Sequence, residues 1–313
     1  MERCLKLAAL AARSDVPVLV LGETGTGKTL LAQAIHNSSP RAGGPFVSFN
    51  ASAMTDTLLE SLLFGHERGA FTGAQKTVRG KFELADRGTL FLDEIADMSS
   101  LAQAKILRAV EYGEFERVGG ERILRSSARI VSATNSSLRE RIRAGRFRED
   151  LYQRLKGLTL RVPPLRERLE ELPALIALEL RAAASEAGKR ITSIHPEAMD
   201  RLLSHDWPGN LRELNHTIRT VVLFCEGGAV LPEHVVLESD LPAGGTGSGD
   251  SGAAGGIPPP PTGSATDLSL TGAVSAHVRA VYERAHRNQR RAARMLGISR
   301  ATLVRHLRKC GLR

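Results

Sequence analysis

The residue types best suited to chemistry in this 313-residue chain first gather in the segment GETGTGKT, positions 22–29. It follows the apolar run Val16 to Leu21 and leads into the helical pattern LLAQAIH, so the predicted order is strand, glycine loop, helix. Glycines let backbone N–H groups wrap around phosphate oxygens, and the N-terminus of the helix adds positive potential. Lys28 would reach the outer phosphates, and the Thr29 hydroxyl would bind Mg²⁺. Nucleotide contacts are expected along the whole loop: Gly22, Glu23, Thr24, Gly25, Thr26, Gly27, Lys28 and Thr29.

A second reactive segment is TLFLDE, at positions 89–94. An apolar strand would deliver Asp93 at its carboxyl end, which is the edge where ligands bind in open α/β sheets. There Asp93 would hold Mg²⁺ through water, and Glu94 would polarise the attacking water. A strand that ends in Asp-Glu is commonplace by itself. Together with the glycine loop it predicts the hydrolytic half of an AAA+ ATPase, with ATP and Mg²⁺ as cofactors.

Between these two segments lies the hexapeptide GAFTGA, formed by Gly69, Ala70, Phe71, Thr72, Gly73 and Ala74. Small residues around a single aromatic describe a flexible loop that presents Phe71. The same composition is also compatible with a turn that buries this ring, and the hexapeptide alone does not decide between them.

The basic charge of the chain is concentrated near its C-terminus. Residues 277–313 contain eleven Lys and Arg and one acidic residue, a net charge of +10, whereas the whole chain carries +9. The preceding 276 residues therefore sum to −1. This distribution predicts one small module that meets DNA phosphates and a larger part with another task.

The basic segment also has the pattern of a helix-turn-helix. Small Ala293, Gly297 at the turn and apolar Ile298 would let two helices cross closely. The second helix is expected over residues 300–309. Contacts in a DNA groove would come from Ser299, Arg300, Thr302 and Arg305, and phosphate contacts are expected from Arg290, Arg291 and Arg308. A solvated basic helix is the alternative.

Residues 1 to about 240 resemble sigma-54-dependent transcription activators, also called bacterial enhancer-binding proteins. The resemblance runs almost continuously through FGHERGAFTGA, GTLFLDEI, EYGEFERVGG, FREDLYQRL, PPLRER and WPGNLREL. The C-terminal module is similar to the Fis-type domain that ends most members of this family. In that family GAFTGA is the loop tip that grips the sigma factor.

The resemblance implies roles for further residues. Asn50 looks like the switch residue that holds the catalytic Glu94, and Thr134 and Asn135 look like the first nucleotide sensor. Arg212 matches the second sensor, on the helical lid.

Two more arginines, Arg148 and Arg154, match the family's arginine fingers, which act on the nucleotide of a neighbouring subunit. An arginine supplied in this way neutralises charge on the transferred phosphoryl group. Such fingers require an oligomer.

The predicted fold class is therefore α/β, a P-loop AAA+ core with a parallel sheet, followed by a helical lid subdomain and a small all-α helix-turn-helix domain. We expect the core with its GAFTGA loop over residues 1–164 and the lid over residues 165–240. Residues 241–272 are rich in Gly, Ser, Ala and Pro and nearly free of large apolar groups, which predicts a disordered linker. The Fis-type domain would follow over residues 273–313.

The function implied by the resemblance is ATP-driven transcription activation. Dimers would bind enhancer double-stranded DNA and assemble into a ring, a hexamer in the family. Hydrolysis would move the GAFTGA loops and remodel the closed complex of sigma-54 RNA polymerase to an open one.

Two alternatives remain open at this stage. The chain could be a DNA-binding repressor whose AAA+ domain is a nucleotide-gated oligomerisation switch, although an intact GAFTGA and the complete set of Asp93, Glu94, Arg148 and Arg154 favour turnover. It could also fold but bind nucleotide poorly, because the family's short segment upstream of the first helix, which helps to enclose adenine, has no counterpart before Met1.

Composition adds an expectation about location. No apolar run approaches the roughly 20 residues of a membrane span, and no leader pattern opens the chain. The three cysteines are far apart and lack metal-ligand spacing, which suggests reduced thiols. A cytoplasmic protein without a membrane partner is expected.

Overall fold

The computed structural model describes residues 1–52, 54–237, 240, 282, 289, 292, 303 and 307. Within them the strands are β1 (Val18–Leu21), β2 (Phe46–Asn50), β3 (Gly65–His66), β4 (Val78–Arg79), β5 (Thr89–Asp93), β6 (Glu114–Glu116), β7 (Ile123–Arg125), β8 (Arg129–Thr134), β9 (Leu158–Arg161), β10 (Ser193–Ile194) and β11 (Ala229–Val230). The α-helices are α1 (Glu2–Ala12), α2 (Lys28–Asn37), α3 (Asp56–Phe64), α4 (Lys81–Leu84), α5 (Ser100–Tyr112), α6 (Leu138–Arg143), α7 (Glu149–Leu155), α8 (Leu172–Glu186), α9 (Pro196–Ser204) and α10 (Asn210–Phe224).

The centre of the fold is a five-stranded sheet in the order β2-β5-β8-β1-β9, and all its pairings are parallel. Strands β5 and β8 are almost fully buried, as expected for a parallel sheet covered on both faces. Side chains alternate along β1, so Val18 and Val20 pack with α1 and α2 whereas Leu19 packs with α3, α5 and α7. The predicted α/β class is confirmed.

The helical lid follows the last strand of this sheet. Helices α8, α9 and α10 enclose a second core, at whose centre the Trp207 side chain is fully buried and donates a hydrogen bond from Nε1 to the Leu202 carbonyl at 3.0 Å. The lid and the sheet lie in one compact unit, and this unit spans residues 1–244.

Residues 245–313 form a separate compact unit, of which the structure describes five residues. Tyr282, Gln289, Ala292, Leu303 and Leu307 are all helical, and all of them except Gln289 are buried. The predicted linker and every predicted DNA contact, Arg290, Arg291, Ser299, Arg300, Thr302, Arg305 and Arg308, lie outside the described residues.

Membrane insertion has no candidate segment in the part of the chain that the structure describes. None of its helices combines the length and the apolar character that a bilayer span needs.

Leu92 tests how far stability depends on the inner strand β5, where its side chain is fully buried. We expect Leu92→Ala to lower the free energy of unfolding by about 2–5 kcal/mol, because it leaves a cavity beside α3 and α5. Leu101→Ala removes the same atoms from an exposed position on α5 and should change it by less than about 0.5 kcal/mol. Urea unfolding followed by far-ultraviolet circular dichroism measures both, and equal losses would contradict the prediction.

Candidate functional site

The glycine loop joins β1 to α2, and α2 begins at Lys28. Gly25 and Gly27 have φ angles of +79° and +97°, in the left-handed region that favours glycine. The Lys28 side chain is buried under the loop and donates from Nζ to the carbonyls of Gly22 at 3.0 Å and Glu23 at 3.3 Å. The loop is thereby closed around its own lysine.

Glu94 lies directly against this lysine. Strand β5 ends at Asp93, and Glu94 follows it with a φ of +50°. Glu94 Oε1 lies 3.4 Å from Lys28 Nζ, and Glu94 Oε2 accepts a hydrogen bond from the backbone N–H of Asn135 at 3.1 Å. The ends of β5 and β8 therefore meet the glycine loop, and three residues predicted from separate motifs are brought together.

Asp93 shares this site and has a perturbed titration. Burial raises the pKa of its carboxyl, and the charge of Glu94 raises it further, whereas Lys28 and Arg212 act in the opposite direction. A carboxylate desolvated beside a second carboxylate is poised to bind a cation.

The predicted switch residue Asn50 and the side chains of the predicted first sensor, Thr134 and Asn135, contact other partners. Asn50 is opposite Asp93 in the pairing of β2 with β5, and its Oδ1 accepts from the Ser52 N–H at 2.8 Å. Among the described residues the structure has no hydrogen bond between Asn50 and Glu94. Buried Thr134 accepts from the Ser136 N–H, and Asn135 donates from Nδ2 to Thr24 Oγ1 at 2.9 Å.

A cleft of about 310 Å³ separates the glycine loop and the end of β5 from the lid. Predicted residues that line it are Thr24, Gly25, Gly27, Lys28, Thr29, Asp93, Glu94 and Arg212. Lid residues Glu179, Leu211 and Asn215 line it too, and sequence reasoning missed them. Only the motif WPGNLREL, which contains Leu211, offered a signal.

The lid also holds the carboxylate of Glu23. Arg166 donates to both Glu23 oxygens, at 2.8 Å and 2.6 Å. These hydrogen bonds lower the pKa of Glu23 to about 2. Glu23 is thus an anchor between the loop and the lid and does not line the cleft.

Both candidate arginine fingers lie outside the cleft of their own chain. Arg148 precedes α7 and pairs with Asp150 through two hydrogen bonds, of 3.0 Å and 2.7 Å. Arg154, near the end of α7, pairs with Glu111. Their side chains are 45% and 55% exposed, so both guanidinium groups are accessible from outside.

The GAFTGA segment caps a short hairpin formed by β3 and β4. Gly69 and Gly73 have φ angles of +84° and +103°, and the Gly69 N–H donates to the Ala74 carbonyl at 2.8 Å. Phe71 is half-buried, with its ring edge-on to His66 at 5.0 Å between centroids, while Thr72 is exposed.

Arg117 fixes the base of this hairpin. It donates to Glu67 on the hairpin at 2.8 Å and to both carboxylate oxygens of Glu83 on α4, at 2.9 Å and 2.8 Å. The Val118 N–H bonds the Gly65 carbonyl, so the segment after β6 supports the hairpin from beside it.

Comparison with protein families divides the chain into three matches. Residues 1–161 match the sigma-54 interaction domain, residues 166–247 the AAA+ ATPase lid domain, and residues 278–309 the domain described as bacterial regulatory protein, Fis family.

Individual proteins match over different lengths. The Nif-specific regulatory protein of Azotobacter vinelandii is 48% identical over 237 residues, which cover 76% of this chain and 45% of that protein. The transcriptional regulatory protein ZraR of Escherichia coli is 41% identical over 308 residues, 98% of this chain and 66% of ZraR. The chain thus spans about half the length of the first relative and about two thirds of the second.

Solved structures are also similar. The crystal structure of NtrX from Brucella abortus in complex with ATP matches with a TM-score of 0.69 and 31% identity, over 100% of this chain and 68% of NtrX. The structure of NtrX with ADP matches with a TM-score of 0.70 and 32% identity, over 99% and 67%.

The coupling of Asp93 to Glu94 predicts an observable titration. Asp93 should protonate above the ordinary value of 3.8, and Glu94→Gln should lower its pKa partway, because the repulsion disappears while burial remains. Since the folded-state pKa exceeds that of the unfolded chain, Asp93 protonation favours the folded state as pH falls. Carbon-13 NMR of labelled aspartate measures this, with Asp93→Asn for assignment.

Asp86 is the internal control for that titration. Hydrogen bonds from Ser127 lower its pKa, so it should titrate below 3.8 in the same spectra and be indifferent to Glu94→Gln. An Asp93 midpoint that does not move in Glu94→Gln would contradict the assigned cause.

Proposed function

We propose, from the premise that this chain belongs to the family of sigma-54-dependent transcription activators, that it hydrolyses ATP to remodel the closed complex of sigma-54 RNA polymerase into an open complex. The observation that carries the catalytic part is the position of Glu94, within 3.4 Å of the phosphate-loop lysine and bonded to the end of β8. The DNA-binding part rests on the Fis-family match over residues 278–309.

ATP would enter the cleft between the loop and the lid, with its phosphates on the loop. Lys28 would exchange its contact with Glu94 for phosphate oxygens, and Glu94 would then be free to orient and polarise water. Thr29 and Asp93 both line the cleft and supply the oxygen ligands that Mg²⁺ prefers. When bound, Mg²⁺ would neutralise charge on the β- and γ-phosphate oxygens.

Arg148 and Arg154 would act on the ATP of a neighbouring subunit. Neither lines the cleft of its own chain. Within the described residues each guanidinium pairs with one exposed or half-buried carboxylate, which it could leave. A ring of subunits would bring them to the adjacent cleft, as the family resemblance implies. The hydrolytic site is then complete only in the oligomer.

The GAFTGA hairpin would carry the mechanical output, with Phe71 and Thr72 contacting sigma-54. A short path joins it to the site: Asn50 ends β2 beside Asp93, and α3 leads from there to β3. A nucleotide that moves Glu94 would be sensed at Asn50 and passed along α3. The C-terminal module would hold enhancer DNA meanwhile.

Thr72→Ala tests the output side. The exposed hydroxyl takes no part in hydrogen bonds within the described residues, so ATP hydrolysis should stay within about twofold of wild type while open-complex formation is lost. The assay uses purified full chain and sigma-54 RNA polymerase on a supercoiled promoter, with hydrolysis recorded in parallel. Thr220→Ala is the matched control, because the Thr220 hydroxyl donates to the His216 carbonyl on the same lid helix.

Each result of this assay has a meaning for the proposal. Wild type that hydrolyses ATP yet opens no promoter would refute remodelling and favour a nucleotide-gated regulator. A Thr72→Ala variant that opens promoters normally would refute the role of the hairpin tip.

Mixing inactive variants tests catalysis between subunits. Lys28→Ala and Arg148→Ala should each be inactive alone, whereas a mixture regains hydrolysis at about a quarter of the interfaces, those that combine an intact cleft with an intact arginine. Lys28→Ala mixed with Glu94→Gln should stay inactive, because both defects lie in the same cleft. A first mixture no more active than the second would contradict action in trans.

A further inference from the structure

Three successive carbonyls of the glycine loop are held by the lid. Asn210 Nδ2 donates to the Thr24 carbonyl at 3.1 Å, and the Leu211 N–H donates to the Gly25 carbonyl at 3.0 Å. Arg168 Nη2 donates to the Thr26 carbonyl at 3.0 Å, in a buried contact. The outer side of the loop is therefore bonded to the lid along three consecutive peptide units.

These three hydrogen bonds from Asn210, Leu211 and Arg168, together called the clamp, determine where the loop N–H groups point. In a trans peptide unit the carbonyl and the N–H point in opposite directions. Holding these carbonyls toward the lid turns the following N–H groups the other way. The N–H groups of Gly25 and Gly27 make no hydrogen bond within the described residues, and both glycines line the cleft. They remain available for phosphate oxygens.

Asn210 connects the clamp to Leu165, the residue at which the lid begins. Its side chain is fully buried, and its Oδ1 accepts from the N–H of Leu165, where the lid begins, at 2.7 Å. Its Nδ2 donates to Thr24 on the loop. A side-chain amide can accept at its oxygen and donate at its nitrogen, whereas a carboxylate can only accept. Its φ of +54° is one that asparagine tolerates better than most residues.

The approach of loop and lid at this point is close. A Cβ atom on Gly25 would lie 2.3 Å from the Gly209 carbonyl, so the two backbones touch. The ion pair between Arg166 of the lid and Glu23 of the loop adds to the same contact. Loop and lid thus share one interface at the end of the cleft.

We propose that Asn210 is a positioning residue through which the lid sets the phosphate-binding shape of the glycine loop. Lid position and nucleotide affinity are then one linked property: a lid that moves away releases the three carbonyls and weakens binding. This inference extends the proposed ATPase function and depends on that function only for the identity of the ligand. The clamp itself consists of contacts within this chain.

The test is ADP binding by calorimetry to the full chain carrying Asn210→Gly or Asn210→Asp. Glycine keeps the φ angle and removes every contact of the amide, including the longer ones of 3.4 Å from Nδ2 to Glu23 Oε2 and to the Pro208 carbonyl. Aspartate keeps the acceptor for Leu165 and loses the donor to Thr24, Glu23 and Pro208. We expect both to raise Kd for ADP about tenfold and to raise KM for ATP in parallel, while kcat at saturating ATP stays within about threefold and the thermal midpoint confirms folding.

Asn37→Gly, at the exposed far end of α2, is the matched control and should bind as wild type does. Wild-type affinity in Asn210→Asp would overturn the proposal, because the Thr24 contact would then be dispensable. Failure of wild type to bind ADP at all would instead refute the proposed function, so the two failures are distinguishable.

Hydrogen exchange in wild type tests the same idea without a variant. The Leu165 N–H bonds Asn210 Oδ1 and does not line the cleft, so ADP should slow its exchange severalfold through the clamp alone. Amides at the centre of α5 serve as the reference. Exchange at Leu165 that is indifferent to ADP would overturn the proposal even if the Asn210 variants did not fold.

Discussion

The Lys28 ammonium is a buried positive charge, and its neutralisation constrains the whole site. Its side chain is 7% exposed, and burial of an unpaired charge is very costly, so partners must surround it. Two loop carbonyls and the Glu94 carboxylate meet this need. Glu94 in turn engages the Asn135 N–H, which joins the ends of β5 and β8 to the loop. One charge therefore fixes the relative positions of three segments distant in sequence.

The sheet order makes this meeting possible. Strand β8 lies between β5 and β1, so the carboxyl ends that bear Asp93, Thr134 and the glycine loop are adjacent. The chain leaves β1 through α2 on one face and reaches β9 through α7 on the other, which opens a crevice at this edge. The lid covers the crevice from the loop side. The cleft at this edge is therefore lined by a lysine, three acids and a lid arginine, and Glu179 of the lid is one of the acids.

Local motifs made much of this predictable. The glycine loop, the Asp93 and Glu94 pair and the α/β class follow from residue spacing, because each depends on a strand end and a short turn. Contacts between distant segments did not follow. Asn50 was predicted to hold Glu94, but in this structure the charged Lys28 and the Asn135 N–H engage that carboxylate, and Asn50 bonds Ser52. The Asn210 contact joins residues 186 positions apart, which no local pattern encodes.

Coupling between cleft and hairpin requires groups that have two alternative partners. Glu94 is such a group, since Lys28 holds it here and a bound phosphate would compete for the same lysine. The lid is another such group, since its residues donate hydrogen bonds to the loop carbonyls and also line the cleft. Because the contact of Glu94 with Lys28 and the contacts of the lid both involve the glycine loop, a nucleotide that altered one of them would alter the other. The displacement proposed for ATP hydrolysis would reach the strand ends first, and α3, which starts soon after β2 and ends where β3 begins, is a helix along which it would travel to the hairpin.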